Sequence, residues 1–116
     1  MTPEAFAEAV QMLRSNDPMT YEDGYQWLQG DNLKQYVHRI ANLLDAETDP
    51  RMRGRFVELI GNADMPEYIP LLAKELSHPS YEVRLWAYNG LSLSEHAAGL
   101  EQAEWFRAAH PGEGFL

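Results

Sequence analysis

The chain writes one motif twice, and that repetition restricts the folds open to it more than any single residue does. Tyr36–Leu44 (YVHRIANLL) aligns with Tyr68–Leu76 (YIPLLAKEL) at an offset of 32 residues. With one loop residue dropped, Met52–Gly61 aligns with Val83–Ser92 at an offset of 31. Self-similarity at a period of roughly 20–50 residues is the signature of a repeat architecture, in which each unit cannot bury its apolar face alone. Apolar residues inside each copy recur at spacings of three and four, and no segment alternates with period two for long enough to need a strand. Two helices per unit follow. A weaker third copy stands at the front: Ala5, Phe6, Ala9, Met12 and Leu13 fall on Tyr36, Val37, Ile40, Leu43 and Leu44 at an offset of 31. Gly24, Trp27 and Leu28 fall on Phe56, Leu59 and Ile60 at an offset of 32.

Helix punctuation divides the chain into seven segments. Pro3 opens the first, and Ser15-Asn16-Asp17-Pro18 breaks it. Thr20 with Asp23 three residues on reads as a capping box for the second, which runs through Tyr25, Trp27 and Leu28. Gly30-Asp31-Asn32 ends that helix and caps a third holding Leu33 to Leu44. Thr48-Asp49-Pro50 restarts the chain into a fourth, since proline is tolerated in a first helical turn. Asp64-Met65-Pro66-Glu67 opens a fifth, and His78-Pro79-Ser80 turns into a sixth that ends near Gly90 to Ser92. Ser94 or Ser92 caps a seventh with Leu100, Trp105 and Phe106. The closing Pro111-Gly112-Glu113-Gly114 reads as frayed.

A chain of 116 residues suggests a single domain. It carries no cysteine, so disulfides and thiolate metal sites are excluded. Its first residues hold acid where a signal peptide needs base, and no apolar run approaches the roughly 18 residues that cross a bilayer. A cytoplasmic protein that binds no membrane is expected. The net charge is −9, with −5 concentrated in residues 1–31 and −4 in residues 66–116. Phosphate binding draws on a basic surface, so nucleic acid is not an expected partner. Acid favours a basic protein partner and faster encounter with it, besides keeping a small chain soluble.

Leu43-Leu44-Asp45-Ala46-Glu47-Thr48-Asp49-Pro50-Arg51-Met52-Arg53 and Glu75-Leu76-Ser77-His78-Pro79-Ser80-Tyr81-Glu82-Val83-Arg84 resemble HEAT repeats. In that family the second helix begins with a Val-Arg pair, a small residue follows three positions on, and a Leu-Gly pair ends it. Val83-Arg84 with Ala87 matches, as does Met52-Arg53 with Ile60-Gly61. There are departures: Gly90 precedes Leu91, Phe56 fills a position that is usually small, and Tyr21 stands where the first copy needs its arginine. The family's aspartate six residues before the arginine has a stand-in in Glu47 but none in His78. The resemblance implies an all-α, short right-handed α-solenoid of about three helical hairpins plus a capping helix. Its repeats would be 3–30, 33–62 and 66–92, with the cap at 94–110.

It further implies a non-catalytic protein–protein interaction module, because most such proteins are binding scaffolds. An immunity or antitoxin-type inhibitor of a basic toxin or nuclease is one form of this. Some HEAT-like proteins instead bind nucleobases or bilins, which leaves a HEAT-like enzyme or small-ligand binder as a rival. A purely structural subunit of a larger assembly is a third.

In such a stack the second helices line the concave face. The partner-binding candidates are therefore Glu22, Tyr25 and Gln26, then Arg55 and Glu58, then Trp86 and Asn89, with Leu85 beside them. Tyr, Arg and Trp dominate interface energetics because each offers a large anchor with a polar handle. Trp86 reads either as such an anchor or as core beneath the last helix; Trp27, Trp105, Phe6 and Phe56 read as core. Arg53 suits a ladder between repeats. Arg55, two positions on and about 200° round the helix, reads as a solvated salt-bridge position or as a contact to a partner's carboxylate. No catalytic, cofactor or metal site is expected. His38, His78, His96 and His110 show no i, i+4 pair, and no phosphate loop or nucleophile elbow occurs.

Overall fold

Capped prolines set the helix starts. Thr2, Asp17 and Asp49 each precede a proline, and each side chain accepts a backbone N–H of the first turn, from Ala5 at 3.1 Å, Thr20 at 3.0 Å and Arg51 at 3.4 Å. Such caps satisfy donors that a helix leaves unpaired at its start. The computed structural model describes residues 1–116 and contains seven α-helices, one 3-10 turn and no strand. The helices are α1 (Pro3–Leu13), α2 (Pro18–Trp27), α3 (Gly30–Ala46), α4 (Pro50–Ala63), α5 (Ile69–Glu75), α6 (Tyr81–Ser92) and α7 (Ala97–Ala109), with the 3-10 turn at Pro66–Tyr68. Asp17, not Thr20, caps α2, because Pro18 already begins the helix and places Thr20 inside its first turn. The Thr20 hydroxyl instead donates to the Asp17 carboxylate at 2.7 Å.

The helix α4 is central, packing on α3 and α6, while α1 packs on α2 and both α5 and α7 lie against α6. One apolar core of 24 residues runs through the molecule. Its members recur with the sequence offsets: Val37, Ile40 and Leu44 are buried, and so are Ile69, Leu72 and Leu76. Met52, Phe56 and Ile60 are buried, as are Val83, Ala87 and Leu91. Side chains as large as Phe56 and Ile60, removed wholly from water, stabilise the fold by about 1.5–3 kcal/mol each.

Where α4 meets α6 the main chains touch. A Cβ added to Gly61 would lie 3.0 Å from the Gly90 Cα, and one added to Gly90 would lie 2.9 Å from the Gly61 Cα. Gly90 stands two positions before Ser92, the counterpart of Gly61 at an offset of 31, and faces Gly61 itself. The helices α1 and α2 make a similar approach at Gly24, where a Cβ would lie 2.7 Å from the Met12 Cβ.

Two arginines tie successive segments in the same way. Arg53 donates through Nη1 to the carbonyls of Leu44 (2.8 Å) and Glu47 (3.0 Å), and forks onto Glu75 of α5 at 3.1 and 2.5 Å. Arg84 donates through Nη1 to the carbonyls of His78 (3.0 Å) and Pro79 (2.9 Å), and forks onto Glu113 at 3.1 Å on both arms. The tail is consequently held rather than frayed. Phe115 reinforces it, stacking on Phe106 at 5.9 Å and lying against Tyr81 and Tyr88.

The start of α7 is braced from α4. Asp64, in the left-handed region at φ 47°, accepts the Ser94 hydroxyl (2.7 Å) and the Glu95 N–H (2.9 Å). Two aromatic residues leave the core: Trp27 is 43 % exposed and Trp105 is 60 % exposed. Trp27 is the last residue of α2, and Trp105 lies on a side of the final helix that no later helix covers. Phe6 and Phe56 are buried. No helix is long and apolar enough to cross a membrane.

Candidate functional site

The helices α2, α4 and α6 bring most of the candidate residues to one face, though not in the roles their spacing suggested. Tyr25 of α2 is half-buried; its hydroxyl accepts Asn62 Nδ2 of α4 at 2.9 Å, with the Glu58 carboxylate close by. Burial, then the nearby Glu58 charge, pushes the Tyr25 phenol above its ordinary range, and the same two causes act on Tyr21. Glu58 is itself raised, first because burial strips water from its carboxylate and further because Glu22 and Glu82 repel its charge. The neighbouring Tyr25 hydroxyl and the Arg55 charge oppose that rise in part.

Arg55 points the other way. Its Nη1 donates to the Leu13 carbonyl at the end of α1 and, at 3.4 Å, to the Ser15 carbonyl, while its guanidinium lies 3.9 Å over the Tyr21 ring. It is neither a solvated salt-bridge position nor a free hand for a partner's carboxylate. Leu13 is the counterpart of Leu44 at an offset of 31, and Arg53 serves the Leu44 carbonyl. Arg55 thus makes at Leu13 the kind of carbonyl contact that Arg53 makes at Leu44.

Trp86 of α6 is half-buried. It covers Gly54 of α4, where an added Cβ would touch the Trp86 Cδ1 and the Glu82 Cγ, each at 3.4 Å. The indole and the Glu82 stem thus lie beside Gly54 on α4. Asn89 is half-buried on the same helix and forms no side-chain hydrogen bond, leaving its amide unpaired. Glu22 and Gln26 are exposed and bonded to one another across one helical turn at 2.8 Å, so Gln26 is spent on its own helix.

The face that results carries three carboxylates, Glu22, Glu58 and Glu82, around the rings of Tyr21, Tyr25 and Trp86. The cation nearest to them is turned inward onto backbone carbonyls. Tyr21, Asn62 and Glu82 belong to it and were not singled out in the sequence; Tyr21 was marked only as a missing arginine. No group of three or more His, Asp or Glu side chains is disposed to hold a metal ion. No family model matches the chain, and no curated protein or solved structure matches it either.

Proposed function

We propose that the chain is a short right-handed solenoid of three HEAT-like hairpins closed by α7, and that it acts without catalysis by binding a basic protein. The repeat reading is supported by Arg53 and Arg84, 31 positions apart, which make the same pair of carbonyl contacts and the same fork onto a carboxylate. The observation that carries the binding reading is the grouping of Glu22, Glu58 and Glu82 with half-buried tyrosines and Trp86 on the α2–α4–α6 face. A charged rim around aromatic anchors is the anatomy of a face that steers and then holds an oppositely charged partner. A basic nuclease or toxin domain fits that description, and covering its substrate cleft would make the chain an inhibitor of the immunity or antitoxin kind.

The test is affinity capture from the source cells with the wild-type chain beside a Glu22→Lys/Glu82→Lys/Trp86→Ala variant of unchanged circular dichroism. A basic protein retained by the wild type, released by salt and absent from the variant lane is the expected result. Equal retention by both chains, or no basic protein with either, overturns the assignment of this face.

A further inference from the structure

Six of the seven arginines are tied to a carboxylate, a carbonyl or an amide; Arg39 is not. Its guanidinium lies 5.6 Å from the ring of Phe6 and 5.8 Å from that of Tyr36. Those rings stack on each other, 4.6 Å apart and within 9° of parallel. The stack is fixed from beneath, since the Tyr36 hydroxyl donates to the Met1 carbonyl at 3.1 Å. Beside it, α1 and α3 leave a cleft of about 380 Å³ with Phe6, Val10 and Leu43 as its apolar lining, Asn42 and Gln11 as polar groups, and Arg39 and Arg14 as its cations. Arg14 is engaged by Glu47 at 2.7 Å, which leaves Arg39 as the cation with bonding capacity to spare.

We propose that this cleft binds a small carboxylate with an apolar body, such as an aryl-alkanoate, its carboxylate on Arg39 and its hydrocarbon against Phe6, Val10 and Leu43. A guanidinium held beside aromatic rings keeps its fork free to match a carboxylate. The volume falls within the range of roughly 300–1,000 Å³ typical of small-molecule sites, where a mostly apolar wall carries a few polar groups that fix orientation. The charge is local: the chain as a whole is acidic, so a free arginine at an apolar cleft selects anions that the remaining surface repels. This site lies on the α1–α3 side and does not depend on the α2–α4–α6 face.

The probe is phenylpropionate, titrated beside its neutral amide into isotope-labelled protein and followed by backbone amide NMR. Saturable shifts at Phe6, Val10 and Asn42, with the acid binding about tenfold more tightly than the amide, are expected from one charge-assisted contact. Arg39→Gln should bring the acid down to the affinity of the amide and leave the amide unchanged. Shifts centred elsewhere, equal affinity for acid and amide, or no saturation at millimolar ligand would each overturn the proposal. A substitution that alters far-UV circular dichroism is replaced by Arg39→Lys, which keeps the charge but not the fork and should retain an intermediate preference for the acid. Equal affinities of Arg39→Lys for acid and amide would count against it.

Discussion

The Arg55 guanidinium lies over the Tyr21 ring at 3.9 Å while bonding the Leu13 and Ser15 carbonyls, so one residue of α4 completes the turn between α1 and α2. Tyr21 stands at the position that aligns with Arg53, and the cation for this turn comes from α4 instead. Replacing Arg55 with Met should cost about 1–3 kcal/mol, the value of a charge-assisted hydrogen bond with its acceptors left behind. Adding Tyr21→Arg to that variant should recover part of the loss, since position 21 corresponds to Arg53 at an offset of 32. Urea denaturation decides it: a double variant no more stable than Arg55→Met would show that position 21 cannot reach those carbonyls.

Two ion pairs in this chain should differ several-fold in worth. Glu75 is 4 % exposed and holds Arg53 by both oxygens, whereas Glu104 and Arg107 pair in open solvent. Glu75→Gln should destabilise by about 3 kcal/mol or more, because it leaves a guanidinium largely buried without its counter-charge. Glu104→Gln should change stability by less than about 1 kcal/mol. Chemical denaturation of both variants in one buffer tests the contrast, and equal effects would refute the assignment of Arg53–Glu75 as a structural tie.

The acidic face makes a pH prediction through Glu58. Burial raises its folded pKa above the ordinary 4.5, so the folded state keeps a proton that the unfolded chain has already lost. Stability from this group therefore falls as pH rises from the unfolded value through the raised folded one. Glu58→Gln should remove that penalty, so its melting temperature relative to wild type should be more favourable at pH 7 than at pH 4. Thermal melts at the two pH values are the check, and a relative melting temperature that moves the opposite way would contradict the burial reading.

The α4–α6 crossing predicts a reversal of helix propensity. Alanine in place of glycine inside a helix normally stabilises by about 1 kcal/mol. Gly90→Ala should instead destabilise by about 1–3 kcal/mol, since the new methyl meets the Gly61 main chain, which has no rotamer with which to yield. Ala87→Asp, which buries a charge with no partner at a wholly covered position, should abolish the cooperative melt. A stabilised Gly90→Ala variant would show that the helices stand farther apart than their glycines indicate.

The number, order and inward faces of the helices were legible because periodicity reports which side of a helix meets apolar neighbours. Val37, Ile40 and Leu44 were set by spacing alone, and all are buried. Periodicity does not report whether a neighbour exists. Trp27 and Trp105 sit at apolar positions on helices where nothing covers them, so they stand exposed. The carboxylate face was half legible: Glu22, Tyr25, Glu58 and Trp86 came from helix spacing together with the stacking that the HEAT resemblance implies. Tyr21, Asn62 and Glu82 join it through the rotation of one helix against another, which spacing cannot encode. The inward turn of Arg55 is of the same kind, because its acceptors lie 42 and 40 residues back in the chain. The tail was misjudged for a compositional reason: Pro111, Gly112 and Gly114 suggest slackness, whereas Glu113 and Phe115 between and after them do the anchoring.

The glycine contact between Gly61 and Gly90 has a bearing on how this chain tolerates exchange of its surface side chains. The gap between α4 and α6 is gauged there by main chain against main chain, so it does not depend on the solvent-facing side chains of those helices. Glu58, Glu82 and Asn89 are then free to be exchanged as a set without moving the helices beneath them. Frame and surface are separable: a designer holding the two glycines fixed has an adjustable surface on an unchanged chassis.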